Sequence, residues 1–502
     1  MSQHQVDKER NKVHEDQVVL ANTALGQASE TVVESTFRLY YHLMPPTGWM
    51  NDPNGLIYFN HEHHVFYQHY PYEPKAGPMH WGHAKSKDLV NWEHLPIALA
   101  PSENYDLGET GGYGCWSGSA VDDNGVLTLI YTGHVDGRTP TEVQCIATST
   151  DGVTFTKAAN NPVIAGAPEE GGFGFRDPKV WQHDGVWYMV VGYGKDGLGK
   201  ALLYKSPDLR DWSYIGIAAE SDGTMGDMWE CPDLFPLGNG NEHVLVISPM
   251  NMGTTKTMYL SGKLSYETGI FDYRYAERLD YGFDFYAPQT FVDGQGRRIL
   301  IGWMNIWGAQ MPEQEHGWMG ALTLPRELTL SEDGTLRIEP VEELKAMRGI
   351  HQRVNNLSIC ADTEVPLPEI HGDAIELIAV FNTDKLSGDA EFGLLLRCSE
   401  DGSEYTEVSY SAADRKLRVD RNHSGTGEAG VSEVDLNPLE DGRIKLQIFI
   451  DRSSVELFAN NGLKTVTNRI YPKPDSLGIK LFARNGEVSL ESLDAWKLTT
   501  EG

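Results

Sequence analysis

Positive charge is scarce in this chain: 41 lysines and arginines stand against 72 aspartates and glutamates, a net charge of −31. That balance disfavours nucleic acid and anionic membrane surfaces as partners. Cysteine is rare as well. The five residues Cys115, Cys145, Cys231, Cys360 and Cys398 form an odd, scattered set without metal-ligand spacing. Reduced thiols in a cytoplasm are the simplest reading, and no metal or cofactor is expected. Long apolar runs are missing too. The first 30 residues contain no apolar core of signal-peptide length, and no later stretch approaches the roughly 18 apolar residues that span a bilayer. The expectation is a cytoplasmic protein, for which the sequons at Asn356 and Asn422 have no meaning.

Turn-forming residues, by contrast, are abundant. Fifty-two glycines and 25 prolines, with 40% hydrophobic and 10% aromatic residues, suit an all-β chain with well-packed cores. A length of 502 residues implies two or three domains. A short pattern, Ser-x-acidic-x-x-x-aromatic, organises the first 340 residues. It runs from Ser86 and Asp88 to Trp92, Ser149 and Asp151 to Phe155, Ser206 and Asp208 to Trp212, and Ser265 and Glu267 to Phe271. The serines are 63, 57 and 59 residues apart, and Ser331 with Asp333 forms a fifth copy that lacks the aromatic. Short β-branched and aromatic runs lie between the copies. About 60 residues holding several strands, repeated around five times, predicts a five-bladed β-propeller. Past residue 340 the texture changes. Pro340 to Arg348 reads as a helical linker over 340–349, with Pro340 near its first turn. Alternating segments over 350–502 then read as a C-terminal β-sandwich. The propeller is expected over 36–339, after a polar extension of residues 1–35 with an amphipathic helix around Val13 to Leu25.

The repeat also places carboxylates. Asp52 lies 34 residues before Ser86, Asp177 lies 29 before Ser206, and Glu230 lies 35 before Ser265, with Trp116 and Ser117 at the same phase before Ser149. Groups at similar phases of successive blades converge at one end of the propeller axis. Three acids sharing one funnel repel one another, a cost usually tolerated for function. Asp52 sits in Trp49-Met50-Asn51-Asp52-Pro53-Asn54-Gly55, where Pro53 pins the backbone and Asn54-Gly55 invites a tight turn. Arg176 is expected to hold Asp177 ionised. Trp229 and the neighbouring acids are expected to raise the pKa of Glu230, suiting a proton donor. A pair of carboxylates flanking a sugar acetal is the requirement for glycoside cleavage. Trp49, Trp81, Trp116, Trp229, Trp303 and Trp307 offer ring faces for sugar C–H groups, about half of them to ligand, with Asn51, Gln68 and Ser117 for hydroxyls. His80 and His83, at i and i+3 on a strand, face opposite sides, so no metal site is expected there.

With these acids in hand, the chain resembles glycoside hydrolase family 32, the β-fructofuranosidases. The resemblance rests on WMNDPNGL (49–56), FYQHYPY (66–72), CWSGSAV (115–121), FRDPKV (175–180), MWECPDLF (228–235), YAPQTF (286–291), GWMNIW (302–307) and DRSSVELFANNG (451–462). It implies the same propeller and sandwich. It further implies a retaining hydrolase of the fructosyl bond of sucrose or sucrose 6-phosphate, with Asp52 as nucleophile, Glu230 as acid/base and Asp177 as transition-state stabiliser. By the same resemblance the substrate pocket comprises Trp49, Met50, Asn51, Gln68, Trp116, Ser117, Arg176, Asp284 and Trp307. Two departures bear on substrate range: Ala76 where many relatives carry tryptophan, and Trp116 where phenylalanine is common. An exo-acting fructanase, a fructosyltransferase and, more remotely, a non-catalytic sugar-binding propeller are the competing readings. Plain and phosphorylated sucrose are not separated by the sequence, and a homo-oligomer stays open.

Overall fold

The computed structural model describes residues 3–32, 35–238, 241–253, 256–384 and 386–500. Five antiparallel sheets follow one another along the chain, each with four strands in sequential hydrogen-bonded order, and the first gains a fifth strand. Their innermost strands are Gly48–Phe59, Tyr113–Asp123, Phe173–His183, Met228–Pro236 and Tyr286–Val292. The extra strand, Trp318–Met319, leaves the fifth blade and pairs in parallel with Gly48 and Trp49 of the first. That pairing closes the ring and leaves no seam between the first and last blades.

The Ser-x-acidic pattern marks the same place in each blade. Ser86, Ser149 and Ser206 end the third strands, and Ser265 and Ser331 directly follow theirs. In the first three copies the aspartate accepts two backbone N–H groups of the turn into the fourth strand. Asp88 takes Val90 and Asn91, Asp151 takes Val153 and Thr154, and Asp208 takes Arg210 and Asp211, all at 2.8–3.0 Å. The motif is local turn chemistry that satisfies backbone donors the ladder leaves open.

After the last propeller strand, Leu336–Pro340, a short 3-10 helix at Glu342–Met347 leads into Arg348–Ile359, the first strand of the sandwich. Pro340 closes a strand instead of opening the helix. Two six-stranded antiparallel sheets then face each other over a core that includes Leu377, Phe381, Phe392, Leu446, Ile448 and Leu481. The propeller meets the sandwich through buried charge. Arg326 bonds Asp280 at 2.9 Å and also reaches Glu456, while Arg421 bonds Asp284 at 2.7 Å. His42 contacts Asp451 and Glu456 at 2.8 Å each.

The N-terminal helix is longer than the expected Val13 to Leu25, running over Gln3–Val32. It is docked against blade one. Glu103 pairs with Arg10 at 2.7 Å, Asn22 accepts the Ile97 N–H at 3.0 Å, and His14 accepts the Ala100 N–H at 3.2 Å. The helix thereby covers the outer edge strand of blade one, Glu93–Leu99, and satisfies edge groups that would otherwise face solvent. No helix among the described residues is long and apolar enough to cross a membrane. All five cysteines are free, four of them buried and Cys360 exposed.

Candidate active site

In each of the five innermost strands the ladder to the second strand slips by a residue, between Met50 and Pro53, Trp116 and Gly118, Arg176 and Lys179, Glu230 and Asp233, and Tyr286 and Gln289. The aligned residues read Asn51-Asp52-Pro53, Trp116-Ser117-Gly118, Arg176-Asp177-Pro178, Glu230-Cys231-Pro232 and Tyr286-Ala287-Pro288. Four bulges carry proline, which has no N–H to lose where pairing is broken. The fifth carries Gly118, whose added Cβ would lie 2.0 Å from the Ile130 carbonyl oxygen. Asp177, Cys231 and Ala287 adopt φ of 64°, 47° and 48°. This shared irregularity re-aims two side chains per blade toward the axis. The first position contributes Asn51, Trp116, Arg176, Glu230 and Tyr286, and the second Asp52, Ser117, Asp177, Cys231 and Ala287. Asn54-Gly55, expected to form a turn, instead continues the strand. The reversal comes at Asn60 and His61, both at positive φ, before Glu62–Tyr70.

All of the re-aimed residues except Cys231 and Ala287 line a cavity of about 890 Å³, whose wall includes Asp52, Asp177 and Glu230. Asp52 Oδ2 accepts from Ser117 Oγ at 2.6 Å, and Oδ1 from Asn51 Nδ2 at 3.0 Å. Burial raises the Asp52 pKa above its ordinary value; the Ser117 and Asn51 bonds oppose that rise and the Glu230 charge adds to it. Asp177 Oδ2 accepts the Cys231 backbone N–H at 2.9 Å, and the Cys231 Sγ lies 3.6 Å from both Asp52 Oδ2 and Asp177 Oδ2. Asp177 is pushed up to about 7, chiefly by burial, with Glu230 and Asp52 adding to the effect of burial and Arg176 opposing it.

Arg176 does not form the expected bond to Asp177. Its Nη2 and Nε donate to Glu230 Oε1 at 2.8 and 3.2 Å, and its Nη1 donates to Glu142 at 2.9 Å. The bulge aims both side chains at the axis, and the guanidinium donors are taken up by Glu230 and Glu142. The other Glu230 oxygen, Oε2, accepts from Tyr286. Trp116 is stacked on His134, with centroids 3.5 Å apart and planes at 6°.

Of the expected pocket residues, Asn51, Gln68, Trp116, Ser117, Arg176 and Trp307 line the cavity, as does Ala76. Trp49 lies behind the wall, stacked on Trp307 at 5.5 Å, and Met50 is fully buried. Asp284 is elsewhere, held by Arg421 and the Arg469 N–H between propeller and sandwich. Of the six tryptophans, only Trp116 and Trp307 reach the cavity, where about half were expected; Trp81, Trp229 and Trp303 are packing residues. His80 and His83 are both buried, and His83 stacks on Phe66. Glu142 and Tyr286 escaped the sequence reading. Tyr286-Ala287-Pro288 shares its phase with Glu230-Cys231-Pro232, a signal that could have found it; Glu142 sits on another strand and left none.

Comparison with known proteins adds to this geometry. The family model described as "Glycosyl hydrolases family 32 N-terminal domain" matches residues 42–340, and the corresponding "C terminal" model matches 343–497. A sucrose-6-phosphate hydrolase of Zymomonas mobilis is 40% identical over 508 residues, covering 96% of each chain. A raffinose invertase of Escherichia coli is 41% identical, covering 96% of this chain and 99% of its own. A family 32 beta-fructofuranosidase of Bombyx mori, solved as a mutant in complex with sucrose, superposes with a TM-score of 0.80 at 35% identity. That match covers 95% of this chain and 97% of the other.

Proposed function

The chain belongs to glycosyl hydrolase family 32 and is a glycoside hydrolase, and from that premise we propose that it is a retaining β-fructofuranosidase of the cytoplasm acting on sucrose or sucrose 6-phosphate. One observation carries the reading: Asp52, Asp177 and Glu230, from three different blades, face one cavity. Asp52 attacks the anomeric carbon of the fructosyl unit while Glu230 gives its proton to the departing glycosidic oxygen. A water molecule, deprotonated by Glu230 in its basic form, then releases fructose and restores Asp52. Ser117 and Asn51 each occupy one Asp52 oxygen and so fix the plane of the nucleophile. Asp177 strengthens its bonds to fructose hydroxyls as oxocarbenium character develops, which lowers the barrier instead of merely tightening binding. Arg176 and Tyr286 hold Glu230 from both sides.

Glu230→Gln keeps the hydrogen-bonding shape of the side chain and removes the transferable proton. We expect kcat on sucrose to fall by about 10²–10⁴ with the fold intact by circular dichroism. Undiminished turnover would refute the assignment. kcat/KM for sucrose and sucrose 6-phosphate, compared at one ionic strength, decides between the two substrates.

A further inference from the structure

We propose that Glu142, which lies outside the cavity, is a positioning residue that sets how much of the Arg176 charge reaches Glu230, and so governs proton donation to the leaving group. The proposal rests on Glu230 being that donor.

Glu142 begins the third strand of blade two, Glu142–Ser149, and is 7% exposed. It does not line the cavity, so it has no direct part in the chemistry. Its Oε1 accepts from Arg176 Nη1 at 2.9 Å, while Arg176 Nη2 and Nε serve Glu230. One guanidinium is thus divided between two carboxylates, and each limits what the other receives. Glu142 is itself anchored. His134 Nδ1 lies 3.3 Å from its Oε1, His134 Nε2 lies 3.0 Å from Asp136 Oδ1, and Asp136 Oδ2 accepts the Gly112 N–H at 2.7 Å. His134 also stacks on Trp116, and the Arg176 guanidinium lies 5.6 Å from the Trp116 ring centre. The row Asp136, His134, Glu142, Arg176, Glu230 therefore runs from a half-exposed loop carboxylate to the proposed proton donor. Arg176 Nη2 also meets Met250 Sδ at 3.4 Å, which limits any swing of the guanidinium toward solvent.

The ionisable groups around Glu230 are Arg176, Tyr286, Cys231, Asp52 and Asp177, with Lys256 farther along the cavity wall. Those around Glu142 are Arg176 and His134. Within this set, Glu142 competes for Arg176 without touching the substrate. Removing its charge while keeping its shape leaves more of the Arg176 charge to Glu230 and favours the Glu230 anion. The donor then loses its proton at lower pH.

The test is the pH dependence of kcat/KM for Glu142→Gln, with sucrose and with p-nitrophenyl β-fructofuranoside. On sucrose, the alkaline limb should move to lower pH by about 0.5–1 unit, as expected for one charge removed at ion-pair range in a partly solvated site. With the nitrophenyl substrate, whose leaving group departs without a proton, the difference between variant and wild type should largely vanish. A residue that serves only stability would lower both substrates alike and leave the limb in place, and that outcome, or a shift to higher pH, overturns the proposal. His134→Phe keeps a ring on Trp116 but frees Glu142 to draw Arg176 more strongly, so its alkaline limb should move to higher pH. This variant decides the matter if Glu142→Gln does not fold, and an unmoved limb there is equally fatal. Should Glu230→Gln keep full turnover on sucrose, the donor assignment fails first. If Glu230→Gln is inactive and the limb stays fixed in these variants, only the role of Glu142 falls.

Discussion

Replacing Asp177 with asparagine keeps an oxygen to accept the Cys231 N–H and removes one charge from a cluster that shares its cavity with Asp52 and Glu230. The carboxyl is displaced from an ordinary 3.8 to about 7 in the folded chain. Because the folded pKa is the higher, the fold is favoured below pH 3.8, and that advantage is lost as pH climbs through about 7. The displacement corresponds to about 4 kcal/mol at about 1.4 kcal/mol per tenfold change in proton affinity. The charges of Glu230 and Asp52 contribute to that displacement, so the figure belongs to the cluster. For a propeller of this size, about 2 °C in Tm accompanies each kcal/mol, so the variant should melt up to about 8 °C above wild type at pH 8. Near pH 4 the two should nearly coincide. The assay is a series of calorimetric scans from pH 4 to 8.5, run beside kcat measurements in which the variant loses about 10²–10³ on sucrose. Parallel Tm curves for variant and wild type across that range would refute the argument, because they would mean that the Asp177 charge costs the fold nothing.

His42 gives a slope of the same sign, over a higher pH range. Burial alone would lower its pKa, but Asp451 and Glu456 together raise it to about 9, so its contribution is complete below pH 6.5 and disappears as pH rises through about 9. His42→Gln should destabilise the chain by a few kcal/mol at pH 6 and by much less at pH 9.5, read as Tm against pH. Gly118→Ala places a Cβ 2.0 Å from the Ile130 carbonyl, which should cost at least about 3 kcal/mol or abolish soluble expression. A wild-type melting curve would show that the bulge yields without penalty.

Signals that act within a few residues were legible in the sequence. The Ser-x-acidic repeat marks the turn after the third strand because serine and aspartate bond backbone groups two or three positions away. Counting from it was enough to bring Asp52, Asp177 and Glu230 to one cavity. The rest depends on strand geometry. Asn54-Gly55 has the composition of a tight turn, yet pairing with Glu62–Tyr70 carries the strand on to Phe59. Arg176 adjoins Asp177 in sequence but points toward Glu142 and Glu230, 34 and 54 residues away. Asp284 lies two residues before Tyr286 on a chain segment that serves the sandwich first and the cavity afterwards. The helix from Gln3 to Val32 draws its stability from an edge strand that local composition does not reveal.

The buried tie between His42 and the pair Asp451 and Glu456 bears on how the molecule is made. The segment that enters the first blade is anchored by residues synthesised among the last. During translation, blade one can therefore reach its final seating only when most of the sandwich has left the ribosome. The same tie means that a gene shortened after the propeller would encode an entrance strand without its anchor, and Arg326 without its partner Glu456. Exchange of the C-terminal half between relatives preserves this junction only where the incoming sandwich carries the partners of His42 and Arg326.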